Sequence, residues 1–138
     1  MRLTFSEYNV DALSFEEYKD LQVEHIFAKE PNFDAIAYGF TEDYDYERNR
    51  IGNLGLLEQS LNKGLSNLPP INKVSGYLNS QIKETRSLAG EIQKGKFSKI
   101  NVDSRRKEIV TFCIDRFNLN IQTNVQPEFV AIEDDEQE

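Results

Sequence analysis

Few residues in this chain carry obvious chemistry. There is one histidine, His25, and Glu24 stands directly before it in the stretch LQVEHIFAKE. A neutral imidazole can accept a proton near pH 7. Carboxylate and amide oxygens suit a hard divalent cation. Two asparagines downstream could join them: Asn53, in a Gly-Asn pair, and Asn62, nine residues later. Each has a plainer reading. Glu24–His25 lies among Leu21, Val23, Ile26 and Phe27, where a half-buried strand pair would serve packing alone. Gly-Asn is a turn signal, and a lone Asn62 fits a helix end or a surface.

The elements that must position these residues follow from pattern. Ser14 and Glu17 form a capping box ahead of a short helix, and a strand is expected at about 21–27. Residues 28–50 carry few regular signals: EPNFDAIAYGF allows a helical turn, and TEDYDYERNR reads as a polar loop. The acids of DYDYE alternate, but Arg48 stands where a calcium loop needs glycine, so the segment reads as surface. RIGNLGLLEQ, at 50–59, reads as a second strand in which Gly52 and Gly55 mark a bulge or a close backbone approach. Leu57, Leu61 and Leu65 then recur at helical spacing. Pro69 or Pro70 can open the next helix, running to about Leu78. SQIKETRSLAGEIQKG predicts another helix, stopped at Gly95. Asp103 can cap a last helix to about Phe117, with Ile109, Phe112, Cys113 and Phe117 as its buried stripe.

Composition narrows the class. The 138 residues are one domain's worth of chain, and no apolar run approaches the length of a membrane span. The N-terminus lacks a basic region followed by an apolar one, so no signal peptide is expected. The single Cys113 cannot form an internal disulfide, and no CxxC is present for zinc, so a reducing, cytoplasmic setting is expected. The net charge of −8 is unevenly spread. Residues 1–47 hold 12 acids and 3 bases, residues 48–107 hold 4 acids and 12 bases, and residues 108–138 hold 8 acids and 1 base. Local charge governs attraction to phosphate, so the basic middle permits nucleic acid despite the acidic total. A solvated helical surface would explain the same charges.

Order adds what no single residue supplies. A strand bearing acid–His, a strand bearing Asn and a helix bearing a second Asn resemble an HNH nuclease, the ββα-metal fold. EHIFAKE, NRIGNLGLLEQSLNKGLSN, Lys73, SQIKETRSLAGEI and RRKEIVTFCIDRF resemble the HNH-type C-terminal domain of GmrSD-like restriction enzymes over most of residues 20–117. The resemblance implies an α+β fold: two antiparallel strands and a short helix, followed by several α-helices. It implies a domain over 1–120, with the core motif at 20–67 and a helical part at 68–118, before an acidic tail at 121–138.

It also implies roles. His25 matches the general base of a DNA endonuclease, and Asn53 matches the residue that holds the loop and orients the histidine. Glu24 and Asn62 match the ligands of one divalent ion, Mg²⁺ or Mn²⁺. Glu24 departs from the aspartate common at its position and is one methylene longer. Asn62 in place of histidine favours oxygen ligation over zinc. Successive strand side chains face opposite ways, so Glu24 and His25 share a target only where the strand ends or twists. Lys29, Arg50, Lys63 and Lys73 are candidate phosphate contacts, with Arg48, Lys83 and Arg86 behind them. Tyr44 and Tyr46 could stack on bases, although packing explains them as well. DNA is the expected partner, together with an NTP-hydrolysing domain or protein, in defence against foreign or modified DNA. The alternative is a catalytically silent DNA- or protein-binding module derived from such a nuclease.

Overall fold

A computed structural model describes residues 19–119. The capping box at Ser14 and the acidic tail at 121–138 lie outside the described residues. Strand β1 (Leu21–His25) pairs antiparallel with β2 (Leu54–Glu58). Glu24 stands opposite Gly55 and His25 opposite Leu54. Helices α1 (Tyr44–Glu47), α2 (Gln59–Asn62), α3 (Pro70–Leu78), α4 (Lys83–Gln93) and α5 (Lys99–Phe117) complete the order, with 3₁₀ turns at Ala35–Tyr38 and Ile51–Asn53. This is the expected α+β arrangement of a ββα core followed by helices. The chain divides into two units after Lys107, inside α5.

Aromatic packing fills the space behind β1. Phe27 is fully buried. Its ring lies 4.8 Å from Phe40, 5.2 Å from Tyr38 and 5.9 Å from Phe97. Phe40 in turn meets Tyr44 edge to face at 5.1 Å, so Tyr44 belongs to this cluster. The ladder ends two residues earlier than expected because Ile26–Ala28 turn inward and become fully buried. The loop expected at 41–50 contains α1, a single helical turn.

Gly52 explains why β2 starts late. A Cβ there would lie 2.1 Å from the Val102 carbonyl oxygen and 2.8 Å from Arg106 Cβ. The close backbone approach expected of this glycine is therefore its contact with α5, and the residues around it adopt a 3₁₀ turn instead of strand. Arg105 fastens the same junction. Its guanidinium donates to the carbonyls of Gly52 (3.0 Å) and Leu54 (2.6 Å) and pairs with Glu84 at 2.7 Å.

The later helices depart from expectation mainly at α5. It begins at Lys99, ahead of Asp103, and Asp103 pairs with Lys99 at 2.7 Å one turn away instead of capping. The first turn is closed by Asn101, whose side chain accepts from the Ser98 N–H at 2.9 Å in the manner of a capping box. The expected buried stripe falls in the second unit. Ile109, Phe112 and Cys113 are only half-buried there, and Phe117 is 47% exposed. Val102 near the start of α5 is its buried residue instead. Helix α3 opens at Pro70 and ends at Leu78, and α4 stops ahead of Gly95, at φ +88°.

Candidate active site

His25 ends β1, where the chain leaves the ladder. Its ring is half-buried, and Nε2 lies 3.0 Å from Asn49 Oδ1. Glu24, one residue earlier, points into the fold and is 5% exposed. Its Oε1 accepts from Lys73 Nζ at 2.6 Å and from the Tyr77 hydroxyl at 2.8 Å. Strand alternation thus separates the two side chains, as the pleat requires. Gly55 opposite Glu24 brings no side chain into the space that Lys73 and Tyr77 enter from α3.

Burial sets the electrostatics of this cluster. Desolvation pulls Lys73 below the usual lysine range, while the Glu24 charge and hydrogen bond pull it back up. Burial pushes Tyr77 well above its ordinary value, and the neighbouring Glu24 carboxylate adds to the rise. Tyr77 is therefore a neutral donor held on a carboxylate.

Asn53 is buried beneath the site and uses its whole amide. Oδ1 accepts from the Phe27 N–H at 2.8 Å, and Nδ2 donates to the carbonyls of Phe27 (2.9 Å) and Arg48 (2.8 Å). One side chain thereby joins the segment that follows His25 to the segment that carries Asn49. The Arg48 guanidinium adds a bond to the Lys29 carbonyl.

Asn62 ends α2 and lines the same cleft as His25. Its Nδ2 donates to Gln22 Oε1 at 3.1 Å, while Oδ1 is buried without a hydrogen-bond partner. An unpaired buried carbonyl is costly unless something binds it. Val23, Glu24, His25, Lys29, Glu30, Asn62, Ser66 and Asn67 line one cleft of about 230 Å³. His25, Asn62, Glu24 and Lys29 are thus brought together.

The other candidates stand elsewhere. Lys73 is 0% exposed and its ammonium meets Glu24 and the His25 carbonyl, so it is not presented to a phosphate. The sequence gives it a basic head but not its position: a lysine at i+3 on a buried helix face, with Pro70, Val74 and Tyr77, must take its charge inside. Arg50 lies over the Tyr46 ring at 5.7 Å, outside the cleft lining. Lys63 caps α2 and is exposed. Arg86 donates to the Ser80 carbonyl at 2.7 Å, and Lys83 is exposed at the start of α4. Pattern reading did not single out Asn49, Glu30 or Tyr77.

The donor set bears on a metal. Among the described residues there is no cluster of three or more His, Cys, Asp or Glu able to hold an ion. The cleft lining holds two carboxylates, Glu24 and Glu30, and two side-chain amides, Asn62 and Asn67. Both protein hydrogen bonds to the Glu24 carboxylate fall on Oε1 and neither on Oε2. Such a set suits an ion that keeps most of its water, as Mg²⁺ and Mn²⁺ do, and not four-coordinate zinc.

Residues 2–112 match the family described as GmrSD restriction endonucleases, C-terminal domain. The chain belongs to this family. No curated protein and no solved structure matches it. Membership makes the chain a nuclease-related domain of the GmrSD restriction endonuclease type. Among the described residues no helix is long and apolar enough to cross a membrane.

Proposed function

We propose that this GmrSD-type domain is a metal-dependent endonuclease that hydrolyses DNA phosphodiester bonds with His25 as general base. The observation that carries the reading is the cleft shared by the His25 ring and the unpartnered Asn62 Oδ1. Asn62 and Glu24 are the residues that would hold a divalent ion. When bound, that ion supplies positive charge to the phosphate and its leaving oxygen.

The chain's own residues do the rest. His25 accepts the proton of the attacking water. Lys73 and Tyr77 hold Glu24 at Oε1, and Asn53 holds the loop behind the histidine. Lys29 in the cleft lining is exposed and suited to a phosphate oxygen, and Arg50 and Lys63 extend a basic surface over the backbone without reading bases. The restriction-endonuclease family supports a role in defence against foreign or modified DNA, and the same proposal takes the domain to act in the cytoplasm alongside an NTP-hydrolysing domain or protein.

Incubation of supercoiled plasmid with the protein and Mg²⁺ or Mn²⁺ tests this. Nicking is expected, with a loss of roughly 10²–10⁴-fold in His25→Ala. Absence of nicking, or equal nicking by the variant, would sink the catalytic claim.

A second reading rests on the Glu24–Lys73 pair, in which a candidate ligand is already neutralised inside the fold. The domain would then be a catalytically silent DNA- or protein-binding module. Salt-dependent DNA binding that ignores metal and survives His25→Ala, without cleavage, is its signature.

A further inference from the structure

Asn49 opens the stretch NRIGNLGLLEQSLNKGLSN and has no role assigned by pattern, yet its side chain meets the single histidine. Its amide is oriented by its own neighbours. Nδ2 lies 2.9 Å from the Asp45 carbonyl oxygen, across one turn of chain. A carbonyl oxygen can only accept, so the amide nitrogen faces Asp45 and Oδ1 faces the ring. Oδ1 also can only accept. The imidazole nitrogen 3.0 Å away, Nε2, must therefore carry a hydrogen. In a neutral ring that leaves Nδ1 as the lone-pair nitrogen.

We propose that Asn49 is a positioning residue that fixes His25 as the Nε2–H tautomer and leaves Nδ1 to take the proton of the attacking water. The assignment of the base nitrogen rests on the nuclease reading above; the tautomer does not. The support for Asn49 is itself built. Asn53 Nδ2 bonds the carbonyl of Arg48, the residue before Asn49, at 2.8 Å. Asn49 N–H bonds the Tyr46 carbonyl at 3.3 Å, and Arg48 pairs with Asp45 at 3.1 Å. These contacts hold the backbone and the amide plane of Asn49 where a rotation would cost the Asp45 bond. A fixed tautomer matters because a base whose lone pair lies on the wrong nitrogen cannot act until it re-protonates.

The single histidine makes the test direct. In ¹⁵N-labelled protein the two ring nitrogens of His25 give the only imidazole signals, and their ¹H–¹⁵N long-range pattern reports the tautomer. The wild type is expected as Nε2–H alone when neutral. Asn49→Leu removes the acceptor and should give a mixture of tautomers, while Asn49→Asp keeps an acceptor oxygen and should retain Nε2–H. In plasmid nicking, Asn49→Leu should lower kcat by roughly 10–100-fold with KM little changed. A wild-type ring in the Nδ1–H form overturns the proposal, and so does an Asn49→Leu ring identical to wild type. The expected ring signature without any nicking would sink the nuclease reading and leave the Asn49 tautomer assignment standing.

Discussion

Lys73 Nζ lies 2.6 Å from Glu24 Oε1 inside the fold, and the same ammonium donates to the His25 carbonyl at 2.6 Å. One lysine of α3 therefore engages both residues of the acid–histidine pair, one through its side chain and one through its backbone. The pair is a positioning device as well as a charge pair.

Breaking it from one side should be expensive. Lys73→Met leaves the Glu24 carboxylate buried without its cation and should destabilise the domain by about 3–5 kcal/mol. Adding Glu24→Gln should recover much of that loss, because the orphaned charge goes with it. Urea unfolding of the two variants checks this. Additive losses in the double variant would mean that the two residues do not act as a pair.

Asn62 carries the second prediction. Its Oδ1 is buried and unpartnered beside the histidine. Asn62→Ala should weaken Mn²⁺ binding by at least ~10-fold, read by calorimetry or by the paramagnetic resonance of the free ion. Unfolding in the absence of metal should change by no more than about 1 kcal/mol, since the bond lost is the exposed one from Nδ2 to Gln22. Equal Mn²⁺ affinity in variant and wild type would remove Asn62 from the ligand set.

The third concerns Gly52, pressed against the backbone of α5. Gly52→Ala should destabilise by about 1–3 kcal/mol or more, since the added carbon would meet a carbonyl oxygen that has no rotamer to change. Gly90, inside α4, has nothing within 4 Å of the equivalent position. Gly90→Ala should therefore stabilise by about 0.5–1 kcal/mol through helix propensity. Thermal unfolding of the two variants should move in opposite directions.

Alkaline pH supplies the fourth. Burial pushes Tyr44 up to about 12 against an ordinary 10.0, with Arg48 opposing, and its hydroxyl donates to the Ala28 carbonyl at 2.6 Å. The folded value lies above the unfolded one. Between those values the unfolded chain has already lost its proton while the folded chain keeps it. The contribution of Tyr44 is thus full below pH 10 and falls away as pH rises toward 12. Tyr44→Phe should cost about 1 kcal/mol at neutral pH and flatten the decline of stability above pH 10. Urea midpoints from pH 8 to 11 measure both. A decline as steep in the variant would assign the slope to other groups.

The sequence carried the fold further than it carried the site. Strand, strand and short helix were legible because Glu24–His25, Gly52–Asn53 and Asn62 come in an order that resembles one fold, and Pro70 announces α3. The α5 boundary was not legible: Asp103 looks like a cap, but Asn101 already closes a turn at Ser98, and a helix starts at its first satisfied turn. Within the site, Lys73 was readable as a base but not as a buried one, although Pro70, Val74 and Tyr77 share its face of α3. Asn49 stands in a stretch that resembles the family, but its role was not legible. Its place depends on α1 and on Asn53 bonding to Arg48, contacts that a pattern of residue types does not contain.

The Lys73 contacts also set an order of assembly. They join residues 48 and 49 positions apart in the chain. During synthesis, β1, β2 and α2 emerge before α3, so His25, Asn53 and Asn62 are all present while the Glu24 carboxylate still lacks Lys73 and Tyr77. The hairpin alone cannot supply the partners of the buried Glu24 carboxylate. Docking of α3 is the step that does, and such a sequence-distant closure is among the slower events in folding. A chain interrupted before Pro70 would hold nearly every candidate residue and still be unfinished.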